Sequence, residues 1–240
     1  MIEGPEIDKF RDRLYSAYSS THAGIGDEGS AALSFRRDVL PHLPSDHRAP
    51  VVDLGCGQGQ VVRLLIEAGY RNASGIDISP EQVAMAHVAG ITEVVLGDYR
   101  DSLKGSAPEA VVATDFFEHL DKYEVLEAMD HVHQELVAGG VLILRVPNSV
   151  SPFVGNFRYG DLTHETSFTA RSLRQVGSAA GFDSVSVYSC VPIVHGMKSL
   201  ARRGAWGLAS GAMKLALASE VGQVRGHLVT QNIVAVMRKS

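Results

Sequence analysis

Seven short apolar runs, alternating with helix-patterned stretches, restrict this chain's folding choices more than any other feature. The runs fall at residues 50–54, 73–78, 93–96, 110–114, 141–146, 184–188 and 228–237. Helical patterns occupy 60–68, 80–89, 122–136 and 170–180 between them. Continuous apolar runs without strict alternation mark strands buried on both faces, so the chain predicts an α/β fold with a doubly wound, mostly parallel sheet. Punctuation agrees with the pattern. Ser79-Pro80-Glu81 reads as cap, first helical residue and acidic first turn, while Gly139-Gly140 and Gly181 fall where helices end before strands.

With 240 residues, one decorated domain is the expectation. Residues 1–49 read as a helical flap, with Phe10, Leu14, Ala17 and Tyr18 on one side of a helix over 6–20, a glycine-rich loop over 21–30 and a second helix over 31–40. The core follows at 50–190, then a helical insertion at 191–226 and a last strand at 227–240. A formal net charge of −5 opposes a broad grip on nucleic acid, which needs clustered cations. Small molecules or sugars are the easier partners. Cys56 and Cys190 form no disulfide framework or paired metal motif, which suits a reducing, cytoplasmic setting. The charged opening residues and the lack of a long apolar run predict neither secretion nor a transmembrane anchor.

Open α/β sheets bind ligands beyond the carboxyl ends of their strands. The loop after the first strand is Asp53-Leu54-Gly55-Cys56-Gly57-Gln58-Gly59. Its glycines permit a tight turn and close approach to a ligand. A dinucleotide fingerprint fails in both registers, because Gln60 and Val62 stand where glycine is required. Asp53 repels a pyrophosphate and attracts an ammonium or sulfonium. Asp77, 18 residues after Gly59, ends the second strand in Gly75-Ile76-Asp77-Ile78, where a carboxylate can accept hydrogen bonds from a ribose diol. Asp98 ends the third strand, with Tyr99 beside it.

This series, continued by Asp115-Phe116-Phe117-Glu118-His119-Leu120 and Leu136-x-x-Gly139-Gly140-x-Leu142, resembles the motifs of class I S-adenosylmethionine methyltransferases over about residues 50–181. The resemblance implies a Rossmann-like seven-stranded sheet of order 3-2-1-4-5-7-6 with an antiparallel last strand. It also implies S-adenosylmethionine as cofactor. Asp53, Gly55, Cys56, Gly57 and Gly59 would hold its methionine part, Asp77 and Ile78 the ribose, and Asp98 and Tyr99 the adenine, with Asp115 and Phe116 lining the site.

Methyl transfer from a sulfonium depends largely on alignment, but a neutral hydroxyl must also lose a proton. Glu118 and His119 follow the fourth strand, and His119 serves either as base or as a ring packed under the cofactor. The connection after Pro147 runs past twenty residues, which marks a functional loop. His164 in that loop is the leading general base. The segment from Pro147-Asn148 through Asp161-x-Thr163-His164-Glu165-x-x-Phe168 to Ala180-Gly181-Phe182 resembles methyltransferases of polysaccharide and glycan assembly, which implies a sugar-linked hydroxyl acceptor and O-methylation. An amine or amino-sugar acceptor is the near alternative. Asp115, Glu118, His119 and His164 are also similar to the ligand set of metal-dependent RNA 2'-O-methyltransferases, although Asp115 stands where that family has Glu. A non-catalytic sensor and a nicotinamide oxidoreductase are rivals from other classes.

Residues 195–218 combine Leu200, Trp206, Leu208, Met213, Leu215 and Leu217 with Lys198, Arg202, Arg203 and Lys214. One or two amphipathic helices are expected there, packed on their own domain, forming a homodimer interface or leaning on a membrane surface.

Overall fold

The structure, a computed structural model, describes Leu14, residues 28–223 and residues 226–240. Apart from Leu14, the helix expected over 6–20 and the loop over 21–27 lie outside the described residues. The second helix begins earlier than the sequence pattern predicts: α1 spans Glu28–Asp38.

Seven strands form one sheet in the order β3-β2-β1-β4-β5-β7-β6. They are β1 (Val51–Leu54), β2 (Ala73–Asp77), β3 (Val94–Leu96), β4 (Ala110–Thr114), β5 (Val141–Pro147), β6 (Ser184–Ser189) and β7 (Asn232–Arg238). The first five pair in parallel, and β7 runs antiparallel between β5 and β6. All seven apolar runs are strands, as expected, and the order is the one the resemblance implies.

Alternation along each strand divides the core into two layers. Val52, Leu54, Val111, Ala113, Leu142 and Leu144 share one cluster with Phe117, Met129 and Leu173. Val51, Ala110, Val112, Val141 and Ile143 meet Phe35, Leu64 and Leu65 in the other. Helices α2 (Gln60–Glu67), α3 (Pro80–Val88), α5 (Lys122–Glu135) and α7 (Ala170–Ala179) follow the predicted patterns, and a short α4 (Tyr99–Ser102) precedes α5. Their starts are chemically specified. Ser79 caps α3, and capping boxes open α5 at Asp121 and α7 at Thr169. Because α7 has its own cap, His164 is not needed to start it.

Parallel strands with right-handed crossovers place the loops after β1, β2, β3, β4 and β5 along one edge of the sheet. The chain turns to opposite sides of β1 at β2 and β4, so this edge carries the switch point where such sheets bind ligands. The long connection after β5 contains a short helix, α6 (Val154–Arg158). One continuous helix, α8 (Met197–Val221), occupies most of the insertion between β6 and β7.

Candidate active site

The loop leaving β1 is built on left-handed glycines, with φ of 64° at Gly55, 53° at Gly57 and 75° at Gly59. Space as well as conformation requires Gly55, since a Cβ there would lie 2.6 Å from Cδ2 of Phe116. Gly55 N–H and Cys56 N–H both donate to Ile76 O, at 2.9 and 3.1 Å, which holds the loop against β2. The Cys56 side chain turns into an apolar cluster with Val62, Val83 and Val94, and burial raises its thiol pKa. Cys56 therefore shapes the loop from behind and offers no side-chain atom to a ligand.

Asp77 binds the loop from the next strand. Its Oδ2 accepts from Gly57 N–H at 2.7 Å and its Oδ1 from Ser79 N–H at 2.8 Å. Burial pushes Asp77 above the ordinary carboxylate range, and these two bonds oppose the shift. Ile78, beside it, is 62% exposed, an apolar rim suited to the face of a base. At the end of β3, Asp98 is engaged by Arg100, accepting from Nε at 2.9 Å and Nη2 at 2.6 Å while also capping α4. An adenine contact from Asp98 requires that pair to rearrange. Tyr99 packs edge-on against Phe116 with ring centroids 5.6 Å apart, which joins the β3 and β4 ends of the site.

Asp53 is buried, and its Oδ1 has no hydrogen-bond partner among the described residues. Leaving a buried acceptor unsatisfied costs about 1–3 kcal/mol, so the loop is incomplete without a donor from a ligand. Burial, and next the charge of Asp77, pushes Asp53 well above the ordinary carboxylate range, against the pull of Arg145. A cofactor bearing an ammonium and a sulfonium fits this donor-hungry carboxylate and its glycine cradle. Such a ligand favours ionised Asp53 and so lowers its raised pKa, which means that binding releases a proton and tightens as pH rises. Calorimetry in two buffers of different ionisation enthalpy is expected to register that release, and Asp53→Asn to abolish it; proton uptake by the wild type would contradict this assignment.

After β4 the backbone is strained. Asp115 has φ 57°, a region that non-glycine residues rarely adopt, and such strain concentrates at functional sites. Its carboxylate pairs with Arg145 through Nη2, and through Nε at 3.2 Å. Arg145 is the one charged residue of β5, and its charge opposes the upward shifts of Asp53 and Glu118. It had no role in the sequence reading. A lone cation within an otherwise apolar strand was the available signal.

The turn Phe117–His119 carries Glu118 and His119. Glu118 is 1% exposed, its Oε2 lacks a hydrogen-bond partner among the described residues, and burial, then the charge of Asp115, pushes its pKa well above the ordinary range. The long loop is clamped onto this turn. Glu165 N–H and Thr166 N–H donate to Glu118 O at 2.8 and 3.0 Å, and Thr166 Oγ1 donates to Leu120 O at 2.8 Å. At the start of the loop, buried Asn148 donates through Nδ2 to Leu228 O and Thr230 O, each at 2.7 Å. These bonds bring His164 to His119, with ring centroids 4.8 Å apart.

Hydrogen bonding sets the tautomer of both rings. His164 Nδ1 lies 2.8 Å from Phe157 O, an acceptor only, so Nδ1 carries the proton and Nε2 the lone pair. Thr163 Oγ1 donates to Asp161 Oδ1 at 2.6 Å, and its single proton is thereby committed. His119 Nδ1, 2.9 Å from Thr163 Oγ1, must donate to that hydroxyl oxygen. Burial, and next the neighbouring His164, lowers the His119 pKa to about 4, so the ring is neutral at physiological pH. Burial raises Asp161, but hydrogen bonds from Thr163, and next the electrostatic influence of His119 and His164, outweigh it and hold the carboxyl below its ordinary value. Thr163 and Asp161 are functional neighbours that the sequence reading quoted without assigning roles. Thr163→Val is expected to lower turnover about 10- to 100-fold and alter its pH profile, as loss of an orienting partner does, with Thr163→Ser restoring both. Unchanged kinetics in the valine variant would remove His119's tautomer from the account.

Together the glycine loop, Asp53, Asp77, Ile78, Tyr99 and Phe116 occupy the ends of β1 to β4, and Glu118, His119 and His164 cluster where the β4 turn meets the long loop. Comparison with known proteins agrees with this layout. A family model described as a methyltransferase domain matches residues 30–187. A trans-aconitate 2-methyltransferase from Rhizobium rhizogenes is 30% identical over 118 residues, 48% of this chain and 45% of that protein. A tRNA U34 carboxymethyltransferase from Vibrio vulnificus is 28% identical over 161 residues, 62% of this chain and 49% of that protein. The chain thus spans about half the length of these curated relatives. Among solved structures, a SAM-dependent methyltransferase from Archaeoglobus fulgidus superposes with a TM-score of 0.69 at 19% identity, covering 94% of this chain and 99% of that one. That likeness is one of fold.

Proposed function

We propose that this chain, which belongs to the methyltransferase-domain family, transfers a methyl group from S-adenosylmethionine to a hydroxyl of a sugar or glycan-type small molecule. One observation carries the choice of a hydroxyl: the His164 imidazole, its Nδ1 held by Phe157 O, presents Nε2 from a loop tied onto the β4 turn. The cofactor supplies an electrophilic methyl group. Asp53 and the glycine loop hold the amino-acid end, Asp77 the ribose and Ile78 the base, which aligns the donor. His164 Nε2 receives the proton of the acceptor hydroxyl as the new bond forms, and protonated His164 lies 3.8 Å from Asp161, which stabilises its charge. An amine acceptor needs less from such a base.

The sugar assignment rests on the resemblance of the loop and its flanks to glycan methyltransferases. The matched relatives are named for trans-aconitate and for tRNA U34; a net charge of −5 disfavours an RNA acceptor. Free Cys56 and Cys190 suit a reducing cytoplasmic setting.

A second reading has its own observation. One ligand atom each from Glu118, His119 and His164 lies within 4.8 Å of the others. Two imidazoles and a carboxylate are a reasonable set for a divalent cation, and each ring has its Nδ1 proton bound to an oxygen, as metal-binding histidines do. Incubation with labelled S-adenosylmethionine and matched panels of sugars and amines, with and without chelator, tests both. O-methylated sugar in the presence of chelator supports the base. Activity lost to chelator and restored by Mg²⁺ or Mn²⁺ makes His164 a ligand, and transfer to amines alone overturns the hydroxyl assignment.

A further inference from the structure

Helix α8 is unlike the other long helices of the chain. Of its 25 residues only Ser199 is buried. Met197 is 87% exposed, Leu200 58%, Leu208 81% and Leu215 72%. At about 100° per residue, Met197, Leu208 and Leu215 fall within about 20° of one another on the helix surface, with Leu200 about 60° to one side. Trp206, Met213 and Leu217 lie on the opposite side and are partly covered. The helix therefore carries two apolar stripes, of which the one through Met197, Leu208 and Leu215 is the more exposed.

Charge identifies what the outward stripe meets. Lys198 and Lys214 flank it on its two sides, at about 100° in either direction, with Arg202 and Arg203 behind them. The helix carries four cations and one anion, Glu220, whereas the chain as a whole has a net charge of −5. This local excess of positive charge sits beside an outward apolar face. Long basic side chains beside an apolar stripe suit the headgroup layer, where their stems lie along acyl chains and their ends reach phosphates. A second copy of the same helix would bring basic flanks against basic flanks. No described helix is long and apolar enough to cross a membrane.

Topology gives the helix its place. The insertion leaves the sheet at Ser189, paired with Ile233, and returns at Asn232, paired with Pro147. Both points lie on the sheet edge that carries the candidate active site. We infer that α8 docks this edge of the protein on an anionic lipid surface, with Met197, Leu200, Leu208 and Leu215 inserted and Lys198 and Lys214 on phosphates.

Sedimentation of the whole chain with phosphatidylcholine vesicles, with or without about one-third phosphatidylglycerol, tests this apart from any catalytic assignment. Binding is expected to the anionic vesicles and to weaken with salt. It should fall about fivefold for each of Lys198→Gln and Lys214→Gln, and by at least about tenfold in the double variant Leu208→Glu/Leu215→Glu. Unchanged melting temperatures establish that these exposed substitutions leave the fold intact. Equal sedimentation with neutral and anionic vesicles, or none with either, overturns the inference. So does a dimer in analytical ultracentrifugation that Leu208→Glu converts to monomer, because the stripe then belongs to a second copy.

Discussion

His164→Ala is expected to lower methyl transfer by about 10²- to 10⁴-fold, the usual contribution of one positioned general base, while S-adenosylmethionine affinity stays within about twofold. The separation follows from where the groups sit. His164 belongs to the loop after β5 and meets His119 and the Glu118 backbone through that loop's clamps. Cofactor-holding residues lie at the ends of β1 to β4. The loop stays tied at Glu165 and Thr166 when the side chain is shortened. A variant with normal turnover on a hydroxyl acceptor would reduce the loop to a structural role. Loss of cofactor affinity alongside turnover would show that the loop supports the donor site instead.

Asp77→Ala is expected to weaken S-adenosylmethionine binding by about 1.5–3 kcal/mol, or about 10- to 150-fold, the range for hydrogen bonds to a charged group. Two causes act together. The carboxylate offers acceptors to ribose hydroxyls, and it also holds Gly57 N–H and Ser79 N–H, so its removal loosens the glycine loop that faces the methionine part. Asp77→Asn retains an acceptor oxygen and should fall between the wild type and alanine. Calorimetry on folded variants reads both, and an unchanged affinity in Asp77→Ala would mean that the ribose lies elsewhere.

Strand positions and their order were legible because buried parallel strands are written as uninterrupted apolar runs, and because the acidic residues at their ends fall in the series of a known family. The cap at Ser79 was legible for a similar local reason. Other features depend on contacts between distant parts of the chain. The commitment of Asp98 to Arg100 turns on a side-chain choice two residues away. The inward turn of Cys56 depends on Gly75, whose missing side chain makes room for it; a Cβ there would stand 2.6 Å from the Cys56 sulfur. The link from Asp161 through Thr163 to His119 joins residues 44 apart in the chain and has no periodicity to reveal it. Helix α8 was legible as amphipathic, but the high exposure of its stripe through Met197, Leu208 and Leu215 emerged only from the structure.

The most direct test of the central claim is equilibrium binding of S-adenosylmethionine and of NAD to the same folded protein by calorimetry. The account predicts one S-adenosylmethionine site per chain, competed by the demethylated product cofactor, and no measurable NAD binding, because Asp53 faces the position a pyrophosphate would take and Gln60 and Val62 replace the glycines it needs. Tight binding of NAD with none of S-adenosylmethionine would contradict it.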